Sequence, residues 1–457
     1  MFLTSDNIEN DKIAIVDDCG KKVTYGQLRN DCEKVIDSLG TRNVILFITD
    51  HMVETVRFYY AIMDSYNVPL LLDEKMNKDF IRKYYELYRP QYIWISKNLS
   101  SSLQNIGEII YETQKHIIFK TSYNRYDLYP ELAILLTTSG STGNPKTVRI
   151  SRSNLINNAM ASVDALNLQK SDKGILTLPM SYTYGMTICH MAFFTGATLL
   201  VTEKAIISHE YEEFLIREQV TLLHGVPYVY EIFDRIGFMD RLPDSLRAMT
   251  MGGGRAKEEL HLKMNQIVKE KDISLYALYG QTEGTCILTK LLDAKKNNEP
   301  GCIGVACLGM KAYLGEGDEL VFEGNSVSLG YADGWKDLCR GDDNNGVLFT
   351  GDIARIDEEG QIYLCGRKKR FLKLLGKRIS LDDIEKNLED ELNLECACAG
   401  NDAGIKIYIK KGSCVETKEL KKHIAHRYTI SVSLICINCI DEIPRNSQGK
   451  IDYGKLE

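Results

Sequence analysis

No stretch of this 457-residue sequence is apolar for long enough to cross a bilayer. The longest, residues 186–201, is interrupted by Cys189, His190, Thr195 and Gly196. The opening MFLTSDNIENDK has neither the basic nor the apolar segment of a secretory signal. Positive charge is not in excess either. With 56 Lys and Arg against 63 Asp and Glu the formal net charge is -7, which argues against a general affinity for nucleic acid or an anionic membrane. The thirteen cysteines are odd in number and irregular in spacing, so they do not form a disulfide framework. Free thiols in a reducing cytoplasm are expected instead. Internal repeats and low-complexity segments are missing. These absences leave a soluble, cytoplasmic, globular protein, consistent with 44% hydrophobic and 26% charged residues.

The length exceeds one ordinary core and suggests two or three domains. Strand-like apolar runs at 44–48, 132–136, 174–178 and 221–224 alternate with helical patterns at 153–166, 211–219 and 256–270. That alternation predicts a multi-layer α/β domain with substantial parallel sheet. After about Pro300 short strands with Gly turns follow, as in GDELVFEGNSVSLGY and DEEGQIYLCGR, and predict a β subdomain. From Asp382 a smaller α+β pattern appears: helix LDDIEKNLEDEL, strands near CACAG and GIKIYIKK, helix ETKELKKHIAHRY, strand VSLICINCI. The expected division is a large domain at 1–366 and a small one at 370–457.

Directly behind a predicted strand lies LLTTSGSTGNPK at 135–146. Gly140 and Gly143 allow tight turns and close approach to a phosphate, and five hydroxyls and Lys146 add donors and charge. Such a cluster taken alone is a polar turn. The Walker A spacing G-x-x-x-x-G-K-[ST] is absent, which disfavours a P-loop ATPase or kinase. Four further segments stand out: YALYGQTE at 276–283, TGD at 350–352, GRKKRFLKLLGKRISLDDIE at 366–385 and PRNSQGKIDYGKL at 444–456. Each has a bland reading: a strand ending in a turn, a turn, a basic patch, a solubilising lysine.

Together and in this order, the five segments resemble the adenylate-forming family of acyl-CoA synthetases, carrier-loading adenylation domains and luciferases. The loop fits the family's T-S-G-[ST]-T-G-x-P-K-G, except that Thr147 stands where glycine is usual. VTYGQL at 23–28 and NVPLLLD at 67–73 extend the match towards the N-terminus. The resemblance implies that Thr138, Ser139, Gly140, Ser141, Thr142, Gly143 and Lys146 hold the ATP phosphates. It implies that Thr282 contacts the α-phosphate and that Glu283 holds Mg²⁺, a hard cation suited to oxygen ligands. Tyr279, Gly280, Gly253 and Gly254 are assigned to the nucleotide. Asp352 accepts from the ribose hydroxyls, and Arg367 contacts ribose or phosphate with its planar fork. Lys450 is assigned as the catalytic lysine, and Lys369 falls on the hinge about which the small domain rotates.

The segment LPMSYTYGMT at 178–187 corresponds to the family's acid pocket, with Tyr182, Thr183, Tyr184 and Gly185, together with Val226 and Gly252. Amino-acid-activating relatives place an Asp near the position of Thr183. A buried ammonium without a partner is costly, so an acid lacking an α-ammonium is expected. Core packing is an equal reading of Tyr182 and Tyr184. His190 and His224, in apolar surroundings, read as core histidines. CINC at 436–439 and CAC at 396–398 lack the usual zinc spacing.

The implied enzyme is an AMP-forming acid–thiol ligase using ATP and Mg²⁺, with coenzyme A or a carrier-protein phosphopantetheine as acceptor. An acyl-AMP ligase acting only on a carrier protein, a silent nucleotide-binding scaffold and a luciferase-like oxidase stay open. So do the acid and the oligomeric state.

Overall fold

The structure is a computed structural model that describes residues 8–100, 107–137, 146–254, 256–292, 301–374, 377–401, 403–413, 415–428, 430–445 and 451–456. Two sheets carry most of it. In the larger, thirteen-stranded sheet, Lys22–Thr24 lies at the edge, antiparallel to the first strand of a parallel run. That run is Ile13–Asp17, Thr198–Val201, Lys173–Ile175, Leu222–Gly225, Ala248–Gly252 and Ser274–Gln281. The sheet then turns antiparallel through Cys286–Leu292, Cys302–Ala306, Ile362–Arg367, Val347–Ile356, Glu319–Gly324 and Met310–Leu314. The smaller, eight-stranded sheet has Leu132–Thr137, Val68–Asp73, Val44–Thr49 and Tyr92–Ser96 as its parallel centre.

These central strands are covered on both faces, which is why they read as continuous apolar runs. All six residues of Val44–Thr49 are buried. Side chains alternate across the sheet, so Ile45 and Phe47 enter the core shared with the larger sheet. Val44, Leu46 and Ile48 enter a second core with Ile81, Tyr84 and Tyr88. Helix Thr183–Thr195 is buried from Thr183 to Phe193, as expected of a helix packed on all sides. Layered α/β architecture is therefore what forms.

The expected helix at 153–166 is Arg152–Leu166. Its start is a capping box in which the Ser151 hydroxyl accepts from Asn154 N and the Asn154 side chain accepts in return. His209–Arg217 and Glu258–Glu270 correspond to the other two. The strand expected at 174–178 ends at Ile175, because Thr177 N turns back to the Ile175 carbonyl at 3.1 Å and Pro179 follows.

After Arg370 a separate apolar core gathers Leu372, Ile379, Leu381, Ile384, Leu388, Cys398, Ile407, Ile424 and Ile435. It lies on one face of the three-stranded sheet Cys396–Asn401, Gly404–Lys410 and Ile435–Ile440, under helices Leu381–Leu392 and Thr417–Tyr428. Cys396 and Cys398 are packed into this core, whereas Cys436 and Cys439 are exposed. Strand pairing therefore separates the two cysteine pairs. All twelve described cysteines are free thiols. No helix among the described residues is long and apolar enough to cross a membrane.

Candidate active site

The residues singled out in the sequence collect where strands end. Leu222–Gly225 leads to Val226, Ala248–Gly252 to Gly253, and Ser274–Gln281 to the 3₁₀ turn Thr282–Gly284. In α/β sheets the carboxyl ends of parallel strands are where loops leave a crevice for ligands.

One cluster forms around Asp352. The Tyr279 hydroxyl donates to its Oδ2 at 2.5 Å and Gln281 Nε2 donates at 3.0 Å. Arg367 Nε lies 3.2 Å from its Oδ1. Asp352 and Arg367 are opposed in register on neighbouring antiparallel strands, so the pair follows from the ladder. Asp352 is buried while Arg367 is exposed, which puts the guanidinium on the open side. Burial and the neighbouring carboxylate push the Tyr279 phenol well above its usual pKa, keeping it a donor. Gly280 sits at a bulge where a Cβ would lie 1.3 Å from the Cys286 carbonyl oxygen, so backbone crowding demands glycine.

A second cluster forms around Gly253, whose φ is 79°. A Cβ there would come within 2.3 Å of the Tyr182 hydroxyl and 3.3 Å of Val226. At Gly252 it would meet the Tyr184 ring at 3.4 Å. Gly254 is exposed and has only ordinary contacts with Pro227. Gly185 faces away, against the carbonyls of Leu178 and Pro179. Tyr184 is buried and bonded to Thr250, whose hydroxyl also lies 2.9 Å from His224 Nδ1. Burial lowers the His224 pKa to about 4. His190, 2.7 Å from the Tyr59 hydroxyl, is lowered by burial to about 3. Both are neutral core histidines.

Thr183 and Thr282 bridge the two clusters, with their hydroxyls 2.8 Å apart. Next to Thr282, Glu283 Oε1 accepts from the Tyr331 hydroxyl at 2.5 Å. Two non-glycine residues with positive φ follow, Thr285 at 63° and Cys286 at 137°. Backbone of this kind costs about 1–3 kcal/mol per residue and persists where its surroundings hold it. The Thr285 hydroxyl does so by donating to the Ser326 carbonyl at 2.6 Å. Lys146 Nζ is 3.5 Å from Asp333, both exposed. Thr147 opens a strand and its hydroxyl reaches the Tyr88 hydroxyl at 3.2 Å, so the residue replacing the usual glycine is built into the fold. Thr138, Ser139, Gly140, Ser141, Thr142, Gly143 and Lys450 lie outside the described residues, and Lys369 is described only as backbone in the turn Lys368–Arg370.

Three residues of the basic run, Arg367, Lys368 and Arg370, are in ion pairs. Lys368 Nζ is 2.8 Å from Glu319, while Arg370 engages Asp382 and, at 2.6 Å, Glu385. Sequence reasoning passed over Gln281 and Tyr331. Gln281 is inside the YGQTE segment, and Tyr331 follows a Gly in SLGY, but only the fold brings either one to a carboxylate.

Of these acidic and hydroxyl groups, Thr282 and Glu283 lie at the carboxyl end of a strand of the parallel run, where α/β folds take their ligands. The description "AMP-binding enzyme" matches residues 4–332, and the chain belongs to that family. A 2-succinylbenzoate–CoA ligase of Geobacillus sp. is 25% identical over 484 residues, covering 98% of this chain and 94% of the relative. An L-proline–[L-prolyl-carrier protein] ligase of Pseudomonas fluorescens is 26% identical over 71% of this chain and 68% of its own length. The Bacillus subtilis o-succinylbenzoate coenzyme A synthetase, solved with ATP and magnesium ion, shares the fold with a TM-score of 0.74 at 18% identity. That match covers 97% of this chain and 96% of that one. The expectation of an adenylate-forming α/β enzyme, with acid–thiol ligases among its relatives, is met.

Proposed function

We propose that the protein is an ATP-dependent acid–thiol ligase. A carboxylate oxygen attacks the α-phosphorus of ATP, the bond to pyrophosphate breaks, and an acyl-adenylate forms. A thiol sulfur then attacks the acyl carbon and AMP leaves. The observation that carries this reading is the Thr183–Thr282 contact, which joins the charged Asp352 cluster to the uncharged Gly253 cluster. A nucleotide and a small acid need such adjoining sites.

In this reading Asp352 and Arg367 take the ribose, with Tyr279 and the Gly253–Gly254 backbone beside the base. Thr282 donates to the α-phosphate, and Lys146 with the 138–143 loop holds the outer phosphates. Lys450 stabilises charge developing on the attacking carboxylate and the bridging oxygen. The Glu283 carboxylate suits Mg²⁺, which when bound with ATP offsets repulsion between the reacting anions. Tyr182, Tyr184 and Val226 carry no carboxylate, and Thr183 is engaged with Thr282. That supports an acid without an α-ammonium.

Two consecutive anchors support the hinge at Lys369 between domains 1–366 and 370–457. Lys368 is tied to Glu319 before it, and Arg370 to Asp382 and Glu385 after it. Rotation about the residue between them lets one bound adenylate meet two sets of groups. The acceptor is coenzyme A or a carrier-protein phosphopantetheine.

The test is acid-dependent pyrophosphate release from MgATP over fatty, aryl and amino acids, with and without coenzyme A. Release with one non-amino acid class, stimulated by coenzyme A, is expected. Release without stimulation assigns a carrier protein as acceptor. Silence with every acid would defeat the ligase reading in favour of a nucleotide-binding scaffold.

A further inference from the structure

The short strand Tyr331–Ala332 sits beside both charged groups assigned to the phosphates and their metal, and the role inferred for Tyr331 rests on that assignment. The strand pairs with Thr147–Ser151, placing Tyr331 opposite Val148, two residues beyond Lys146. From this position the Tyr331 hydroxyl donates to Glu283 Oε1 at 2.5 Å. Among the described residues no protein group is bonded to Glu283 Oε2.

Tyr331 is 44% exposed, so packing of its ring is not what fixes it. Its backbone is fixed instead. The wholly buried guanidinium of Arg149 donates to the Tyr331 carbonyl at 3.2 Å and the Leu329 carbonyl at 2.8 Å, with its charge met by Asp343 at 2.6 Å. Arg149 N also donates to the Gly330 carbonyl at 2.9 Å, and Ser328 N donates to the Glu283 carbonyl at 2.8 Å. A buried charge held by carbonyls on this scale makes a stiff mount. An exposed phenol on a stiff mount, bonded to an otherwise half-free carboxylate, has the form of an orienting group.

We infer that Tyr331 is a positioning residue for the magnesium-binding carboxylate: its hydroxyl holds Glu283 by one oxygen and leaves the other for the metal. Partners of metal ligands act in this way, by fixing the ligand's orientation before the ion arrives. The group acts through Glu283 and makes no contact with substrate.

The test is equilibrium binding of ATP, followed by calorimetry without acid so that no turnover occurs, across a Mg²⁺ titration. The proteins compared are wild type, Tyr331→Phe, Glu283→Gln and the double variant. For Tyr331→Phe the Mg²⁺ concentration at half-effect should rise about 10-fold, with ATP affinity in EDTA and the melting midpoint unchanged. The double variant should be no worse than Glu283→Gln alone. Equal weakening with and without Mg²⁺, or additive losses in the double variant, would overturn the inference, as would an unchanged Mg²⁺ midpoint in Tyr331→Phe. If Glu283→Gln itself leaves the Mg²⁺ dependence unchanged, the underlying assignment of Glu283 fails instead.

Discussion

Around Asp352 the crevice is assembled from charge and hydrogen bonds, with Tyr279, Gln281 and Arg367 all converging on one buried carboxylate. Around Gly253 close approach dominates, with Tyr182, Tyr184 and Val226 set against glycine positions that have little room for a Cβ. The first arrangement suits a ligand whose polar groups never change. The second sets a shape, and shape is what differs between one carboxylic acid and another. On the proposed assignment, the invariant half of the reaction and the variable half would be held by different physics.

Three substitutions or conditions test that contrast. The largest effect is expected from Asp352→Ala, which strands Arg367, Tyr279 and Gln281 and removes the two charge-assisted bonds proposed from the ribose hydroxyls. At about 1.5–3 kcal/mol each, the loss should lower kcat/KM for ATP about 100-fold or more. The KM for the acid should move less than about threefold, since the side-chain hydrogen bond joining the two ends, Thr183–Thr282, does not involve Asp352. A comparable change in both constants would mean the clusters are one coupled unit.

Gly253→Ala should show the reverse. It adds a Cβ 2.3 Å from the Tyr182 hydroxyl and incurs about 1–2 kcal/mol of left-handed backbone strain. The acid KM should rise about 10-fold, and the ATP KM by less, since the Gly253–Gly254 backbone is also assigned beside the base; adding Tyr182→Phe should restore part of the loss by removing the clashing oxygen. Absence of any rescue would show that backbone strain, not side-chain contact, governs this end.

The third test reads stability instead of activity and concerns the polar pair behind the Gly253 cluster. Burial depresses the His224 pKa from 6.5 to about 4, so the folded protein holds this imidazole neutral while the unfolded chain protonates first. The stability it contributes is present above pH 6.5 and is lost as pH falls towards about 4, a change on the order of 3 kcal/mol. His190, lowered to about 3, acts in the same direction. Melting midpoints measured from pH 7.5 to 4 should fall, and His224→Gln should flatten part of that slope. His116, bonded to Asp50 at 2.6 Å and to Glu54 at 3.1 Å, is raised despite burial and contributes with the opposite sign. Stability from it is present below pH 6.5 and fades as pH rises through its raised value. A midpoint that rises on acidification would mean His116 outweighs the other two.

Much of this organisation is legible in the residues themselves. Continuous apolar runs such as VILFIT and LAILLT are strands covered on both faces, and their periodicity sets the layered class. Glycines at 253 and 280 mark places where the backbone leaves no room, so their spacing is visible before any fold is known. Gly185 and Gly254 carry the same letter but different surroundings: one packs against a turn and the other lies open. Tyr184 and Tyr182 read alike in SYTYG, yet Tyr184 is bonded to Thr250, which in turn reaches His224, while the Tyr182 hydroxyl lies against Gly253.

What the sequence by itself determined was local: which runs form buried strands, roughly where helices lie, and which short motifs carry the resemblance to the family. Those properties depend on neighbours within a few residues, through propensity, capping and side-chain period. What only the tertiary structure decided was partnership. Asp352 meets Tyr279 across a 73-residue separation, Tyr331 meets Glu283 across 48, and Arg149 fastens a segment about 180 residues away. Contacts of that range depend on strand order and register, which are settled by burying both faces of two sheets at once and by no single segment alone.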